Sequence, residues 1–173
     1  MKIQLESERL YLRPWRIEDA EDMFHTWASD PEVTKYLTWN PHKDIEVTKA
    51  ILELWIKQYE KPERLNFALE RKEDNKLIGG IDVVGYIDNV PVIGYNLGKA
   101  YWGHGYMTEA CKCLLSHLSR LGYKEAKIDA CVDNLASNRV IEKVGGVLIG
   151  KDMEERPLKH DVMQVNRYIV KLG

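Results

Sequence analysis

The apolar positions of this chain change their spacing several times, which predicts a mixture of helices and strands. Helical spacing marks four segments: Ile17–Asp30, Asp44–Lys61, Met107–Leu121 and Leu135–Gly145. Strand-like runs occupy much of the rest: Leu10–Trp15, Leu65–Lys72, Leu77–Ile87, Pro91–Gly98, Glu125–Asp133 and two runs after Gly146. The order predicts a single mixed α/β domain over residues 1–173, with one sheet of about seven strands and about four helices.

One loop places two glycines directly before a helix. Gly103 and Gly105 lie in the stretch YWGHGYMTEA, and Met107 begins the apolar helical face that follows. Glycines let the backbone approach a ligand closely, and the first N–H groups of a helix have no partner inside it. Such a loop predicts an anion site, most often for phosphate. The alternative is a tight turn before a core helix.

Two common phosphate motifs do not match this loop. A P-loop needs Lys followed by Ser or Thr after its second glycine, whereas Tyr106 and Met107 stand there. The dinucleotide fingerprint needs Gly or Ala where this chain has Thr108. The loop is therefore shaped for a pyrophosphate without matching either nucleotide motif.

Composition and charge narrow the function classes. The formal net charge of −2 and the absence of a basic block argue against nucleic acid as a partner. No apolar run suggests a signal peptide or a membrane span, so we expect a cytoplasmic protein. Cys111, Cys113 and Cys131 are interpreted as reduced structural residues, and the five histidines show no metal-ligand spacing.

Three segments resemble the GCN5-related N-acetyltransferases (GNAT), in the branch of RimJ/RimL-type ribosomal-protein N-terminal acetyltransferases. The segments read ERLYLRPW, IGYNLGKAYWGHGYMTEA and NLASNRVIEKVGG, and the resemblance covers nearly the whole chain. It implies a GNAT-like fold with a splayed strand pair and acetyl-CoA (coenzyme A) as cosubstrate without a metal. It also implies a homodimer as the expected assembly.

The resemblance further assigns cofactor-binding residues. The pyrophosphate cradle would run through Trp102, Gly103, His104, Gly105, Tyr106, Met107 and Thr108. Backbone groups of Asn96, Leu97 and Gly98, on the splayed strand, would bind the pantetheine arm like an added strand. Asn134 and Asn138 match positions near the thioester, and Asn134 is equally suited to cap a helix.

Acetyl transfer to an amine requires a proton acceptor for the ammonium and help for the departing thiolate. Ser137 matches the serine that the RimL-type pattern uses at the thiolate, and the alternative for its hydroxyl is a helix cap. The family's tyrosine acid is excluded at its usual place, which Ile141 occupies. Asp82 is the candidate base, with a solvent-facing strand position as the favoured alternative. Glu70 or a water chain could replace it.

The acceptor would be a primary amine, either a protein N-terminus or a small molecule. Three aromatic residues could wall its pocket, although aromatic residues in such positions more often belong to the core: Trp27, Tyr36 and Trp39. Two other function classes remain open. One is a non-catalytic domain that binds or senses acetyl-CoA on the same fold, and the other is an interaction domain whose glycine loop is only a turn.

Overall fold

The strands lie side by side in one sheet of eight in the computed structural model, which describes residues 2–173. They are β1 (Leu5–Glu6), β2 (Leu10–Arg13), β3 (Asn66–Arg71), β4 (Lys76–Ile87), β5 (Val90–Leu97), β6 (Glu125–Cys131), β7 (Gly146–Arg156) and β8 (Asp161–Lys171). Across the sheet they follow the order β1-β2-β3-β4-β5-β6-β8-β7. The predicted mixed α/β fold is confirmed. The additional strand, β1, has two residues, too few to show an alternating pattern.

Helices cover this sheet: α1 (Ala20–Met23), α2 (Pro31–Thr34), α3 (Ile45–Gln58), α4 (Tyr106–Arg120) and α5 (Leu135–Lys143). The predicted helix over Ile17–Asp30 is irregular, because a 3₁₀ turn precedes α1 and a π-helical turn, Phe24–Ala28, follows it. The short α2 was not predicted. Its N-cap is Asp30, whose side chain accepts the N–H of Glu32. None of the described helices combines the length and apolar character needed to cross a membrane.

The spacing that predicted α4 corresponds to its buried face. The inward side chains are almost fully buried: Met107, Ala110, Cys111, Leu114, Leu115 and Leu118. Gly105 precedes the helix with φ +77°, and Gly122 follows it with φ +96°. Both angles lie in the left-handed region that glycine adopts at little cost. The two glycines therefore fix where α4 begins and ends.

The sheet is incomplete between β5 and β6, which is its parallel pair. The two strands pair only at Val92 with Lys127 and at Ile93 with Ile128. From Gly94 onward β5 pairs with β4 alone. We call this unpaired interval, alongside Gly94–Leu97, the gap. It corresponds to the splayed strand pair that the resemblance implies.

A buried ionic group fastens β2 to the first helical segment. Arg13 is 5% exposed and binds both carboxylate oxygens of Asp19, at 2.8 and 2.9 Å. Its Nε also donates to Glu70 at 2.5 Å. Both carboxylates thereby gain a partner, as buried charges require. This arrangement holds the chain immediately before Trp15, whose side chain reaches the site described next.

Candidate active site

The backbone of β5 directs alternate N–H groups into the gap. The N–H of Gly98 donates to the Ile78 carbonyl at 2.8 Å. Antiparallel alternation then turns the N–H groups of Asn96 and Gly94 toward β4 as well. The N–H groups of Tyr95 and Leu97 point the other way, into the gap. Of the expected pantetheine contacts, Leu97 alone therefore offers a free backbone N–H, and those of Asn96 and Gly98 are used within the sheet.

The glycine loop lies at one end of the gap. Gly103 and Gly105 both have φ +77°, and a Cβ built on Gly103 would meet no protein atom within 4 Å. The space above this loop is open, and the N-terminus of α4 faces it with N–H groups that the helix does not use. These residues therefore suit a pyrophosphate, which would occupy space that a side chain at Gly103 would fill.

The remaining loop residues divide into two groups. Trp102 is 42% exposed, and its indole N–H donates to the Leu97 carbonyl at 2.8 Å. His104 is exposed as well, and Thr108 is half-buried. The side chains of Tyr106 and Met107 lie in the core, so only their backbone groups could bind a ligand.

Arg9 is a loop neighbour that the sequence did not single out. Its Nη1 donates to the His104 carbonyl at 2.9 Å, and its guanidinium lies 4.3 Å from the centre of the Tyr106 ring. Glu109 in the first turn of α4 accepts from the Arg9 Nε, the Arg9 backbone N–H and Ser7. Burial alone would raise the pKa of Glu109, but these donors lower it. Arg9 thus joins the glycine loop to the first turn of α4 through an ion pair with Glu109.

Ser137 lies at the other end of the gap. The cap of α5 is Asn134, whose Oδ1 accepts the backbone N–H of Ser137 at 3.2 Å. The alternative that the Ser137 hydroxyl caps the helix is therefore wrong. That hydroxyl is instead hydrogen-bonded to the Tyr95 hydroxyl at 2.7 Å. Burial raises the pKa of Tyr95 well above its usual range, so the phenol stays protonated at neutral pH.

Asn138 differs from the expected contact with the cofactor. Its Nδ2 donates to the carbonyls of Cys131 and Asn134, at 2.9 and 2.8 Å. Its Oδ1 accepts from Asn166 and Tyr168, at 2.8 and 2.7 Å. All four hydrogen-bonding positions of the amide are used. Asn138 therefore joins α5 to β6 and β8 and has no capacity left for a ligand.

A cleft of about 440 Å³ opens beside the gap. The aromatic residues that line it are Trp15, Tyr36, Trp39, Trp55 and Tyr95. The expectation that Tyr36 and Trp39 line a pocket agrees with this arrangement. Trp27 does not line the cleft, because its side chain is completely buried beneath Trp15 in the core.

Asp82 lies in this cleft. The favoured alternative, a solvent-facing position on the strand, does not describe it. Its side chain is 21% exposed, and Oδ2 accepts from Arg64 at 3.1 Å. Burial raises the pKa of Asp82 to about 6, although the Arg64 charge acts to lower it. The N-terminal helices cover this face of β4, which strand alternation alone could not indicate. Asp82 can therefore change its protonation near neutral pH.

Other carboxylates are less suited to take a proton there. Glu70, the alternate base, is bound by Arg13 and does not line the cleft. Asp129 and Glu154 do line it, but both face Arg167, at 2.5 and 3.8 Å. Neither was singled out from the sequence. Among residues 2–173 no group of three or more His, Cys, Asp or Glu side chains could hold a metal ion.

The sequence was compared with known proteins and matches a family. The family model described as "Acetyltransferase (GNAT) domain" matches residues 9–147. The uncharacterized N-acetyltransferase p20 of Bacillus licheniformis is 32% identical over 115 residues, which span 65% of this chain and 64% of p20. The uncharacterized N-acetyltransferase YoaA of Bacillus subtilis is 29% identical over 144 residues, 82% of this chain and 81% of YoaA.

The fold is also that of solved acetyltransferases. The RimL ribosomal-protein alpha-N acetyltransferase, determined in complex with coenzyme A, superposes with a TM-score of 0.85 at 22% identity. The superposition covers 98% of each chain. With the family model matching most of its length and the gap, loop and cleft in this arrangement, the chain belongs to the GNAT acetyltransferase family.

Proposed function

We propose that the protein transfers the acetyl group of acetyl-CoA to a primary amine, by direct attack of the amine on the thioester. The observation that carries this proposal is the continuity of the site. The glycine loop, the unpaired backbone of β5 and the carboxylate-bearing cleft follow one another along the gap. One end suits a pyrophosphate, and the other suits an amine.

On the amine side, we assign proton removal to Asp82. An ammonium cannot attack a thioester, so a proton must leave before the new C–N bond forms. A carboxyl group with a pKa of about 6 is largely ionised at neutral pH and can accept that proton. The N–H groups of Tyr95 and Leu97, which face the gap, would polarise the thioester carbonyl as charge develops on its oxygen.

On the thiolate side, we assign stabilisation of the departing sulfur to the Ser137 hydroxyl, which is itself hydrogen-bonded to Tyr95. The two hydroxyls are hydrogen-bonded at 2.7 Å, so the phenol can donate to the Ser137 oxygen while the Ser137 hydroxyl donates a hydrogen bond to the departing sulfur. The backbone position of Ser137 is fixed independently by the Asn134 cap.

Direct attack fits the cysteines better than an acyl-enzyme. Cys111 is completely buried, and burial raises the pKa of its thiol far above the usual range, which disfavours a thiolate nucleophile. Burial also raises the pKa of Cys113. Cys131 lines the cleft but is 7% exposed. We therefore propose that no cysteine carries the acetyl group.

The acceptor is a primary amine, and its identity as a protein N-terminus or a small molecule is the subject of the test. RimL supports the first as a neighbour that acetylates a ribosomal protein. The acidic residues Asp82, Asp129 and Glu154 in the cleft favour a cationic acceptor of either kind. A homodimer stays an expectation from the resemblance, and a cytoplasmic location stays an expectation from the apolar pattern of the sequence.

The decisive experiment is an assay of thiol release from acetyl-CoA with a panel of amines and N-terminal peptides. Turnover with at least one amine supports the proposal, and mass spectrometry of the product identifies the acetylated nitrogen. Calorimetric binding of acetyl-CoA without thiol release from any acceptor would instead support a domain that binds or senses the cosubstrate. Absence of binding would leave the glycine loop as a turn.

The pH profile is expected to bend near pH 6 if Asp82 is the base. Below the bend Asp82 is protonated and cannot accept a proton, so kcat/KM should fall by about tenfold per pH unit. Above it the carboxylate is available. The bend should disappear in Asp82→Asn, whereas Asp129→Asn should keep it as the matched cleft control. A wild-type profile that bends elsewhere, or a bend retained by Asp82→Asn, would contradict this assignment.

Ser137→Ala is expected to lower kcat by about 10–100-fold with little change in KM for acetyl-CoA. Its hydroxyl would bind sulfur most strongly as negative charge develops in the transition state. Tyr95→Phe should also lower kcat, because it removes the hydroxyl that is hydrogen-bonded to Ser137. The melting temperature of Ser137→Ala should hardly change, since Asn134 is the cap. Asn134→Ala, by contrast, should cost about 1 kcal/mol of stability. A Ser137→Ala variant with unchanged kcat would remove Ser137 from the mechanism.

A further inference from the structure

Asn66 carries a buried hydrogen-bond donor that no described residue accepts. The residue belongs to β3, is 3% exposed and lines the cleft. Its Oδ1 accepts the indole N–H of Trp15 at 2.9 Å, whereas its Nδ2 has no partner among residues 2–173. A buried polar group left unpaired is destabilising, because it loses its hydration without gaining a hydrogen bond in return. The free protein bears this cost inside the cleft where the acceptor would bind.

The orientation of this amide is fixed by its neighbours. An indole nitrogen can only donate, so Asn66 must turn its oxygen toward Trp15 and its NH₂ group away. The Trp15 ring packs against Trp27 and Trp55, with centroids 6.2 and 5.2 Å apart. The Tyr59 hydroxyl donates to the Asn66 backbone carbonyl at 2.6 Å. The unpaired donor is therefore a rigid feature of the cleft.

An acceptor stands beside this donor. Asp82 on β4 is directly opposite Asn66, so their Cβ atoms rise from one face of the sheet about 4.5–5.5 Å apart. Arg64 occupies Oδ2 of Asp82, and no described residue donates to Oδ1. Asp82 is paired on its other side with Gly94 of β5, so Asn66, Asp82 and Gly94 form one row across the sheet, and Gly94 has no side chain. A Cβ there would lie 2.7 Å from Cγ1 of Val84 and 3.7 Å from Oδ1 of Asp82, so any larger residue at this position would crowd Oδ1.

From this row we infer that Asn66 and Asp82 together select primary amines bearing a hydrogen-bond-accepting oxygen two carbons from the nitrogen. The amine faces Oδ1 of Asp82, and the oxygen accepts from Nδ2 of Asn66. Peptide N-termini and amino amides carry this oxygen as a carbonyl, and vicinal amino alcohols carry it as a hydroxyl. A plain alkylamine or a polyamine has no such oxygen and leaves Asn66 unpaired. The inference rests on the proposed acetyl transfer and names its acceptor class.

The test compares four amines: glycinamide, a short peptide with a free N-terminus, ethanolamine and n-propylamine. Binding is measured by calorimetry with protein saturated with coenzyme A, which has no acetyl group and so permits no turnover. The proteins are the wild type, Asn66→Leu and Asn66→Asp. Both variants remove the N–H donor, and Asn66→Asp keeps an oxygen for Trp15. Because every amine is measured with every protein, differences in the basicity of the amines cancel when each variant is compared with the wild type.

We expect the wild type to bind glycinamide about 10–100-fold more tightly than n-propylamine, as one hydrogen bond to a buried donor predicts. Both Asn66 variants should lose most of that preference, whereas Asn166→Leu, an amide substitution away from the cleft, should keep it. The peptide and ethanolamine distinguish a carbonyl from a hydroxyl oxygen. Equal wild-type affinity for the four amines, or a preference that survives in both Asn66 variants, overturns the inference. Selective binding without thiol release in the acetyl-CoA assay would overturn acetyl transfer alone.

Discussion

Gly103→Val is expected to abolish acetyl-CoA binding while the protein stays folded. The valine side chain would enter the open space above the loop, where we place the pyrophosphate. It would also strain a backbone held at φ +77°, which a β-branched residue rarely adopts. Losing two charge-assisted hydrogen bonds at about 1.5–3 kcal/mol each corresponds to at least about 100-fold in Kd. Calorimetry with acetyl-CoA measures this, and circular dichroism establishes folding.

Gly122→Val is the matched control for that experiment. Gly122 also has a positive φ, +96°, and a Cβ there would likewise meet no atom within 4 Å. It lies at the opposite end of α4, so its substitution carries similar backbone strain without reaching the loop. We expect a modest loss of stability and unchanged binding. A folded Gly103→Val protein with wild-type affinity would move the pyrophosphate site away from this loop.

Arg13→Met is expected to lower the free energy of unfolding by about 3–5 kcal/mol, because it leaves two carboxylates buried without their partner. Asp19 is 6% exposed, and the Glu70 side chain is 14% exposed. Neither can recover its hydration without opening the contact between β2 and the first helical segment. Urea unfolding of the two proteins gives the difference directly.

Arg16→Met tests whether burial is the cause. The Arg16 guanidinium also faces Glu70, but at 4.0 Å and with a side chain that is 60% exposed. An exposed ion pair contributes about 0–1 kcal/mol, so this control should unfold at nearly the wild-type urea concentration. Similar losses in both variants, or a loss below about 1 kcal/mol in Arg13→Met, would contradict the account of Arg13 as a buried partner.

Most of the fold could be predicted from local sequence patterns. Alternation located the strands, and the spacing from Met107 with glycines on either side located α4 closely. These signals lie within short stretches of chain, where the period of the backbone imposes the pattern. The π-helical turn at Phe24–Ala28 and the four-residue α2 were not predicted, because neither is long enough to show a periodic pattern in the sequence.

The site was less predictable, because its key contacts join distant residues. The Tyr95–Ser137 hydrogen bond spans 42 positions, and the Arg9–His104 contact spans 95. No local spacing encodes either contact. Asp82 shows a different difficulty. Between Ile81 and Val83 it resembles an outward-facing strand residue, and only the packing of the N-terminal helices over β4 makes that face part of a cleft.

The gap also leaves the two parts of the sheet with little direct connection. Five strands stand on one side and three on the other, joined along the backbone by two residue pairs. Much of the remaining connection is α4, whose apolar side chains share one core with Leu10 and Ile78 on one side and Ile128 and Val170 on the other. The helix α4 thus connects the two parts of the sheet by packing against both of them. The width of the gap therefore depends on how the apolar face of α4 packs against both parts of the sheet.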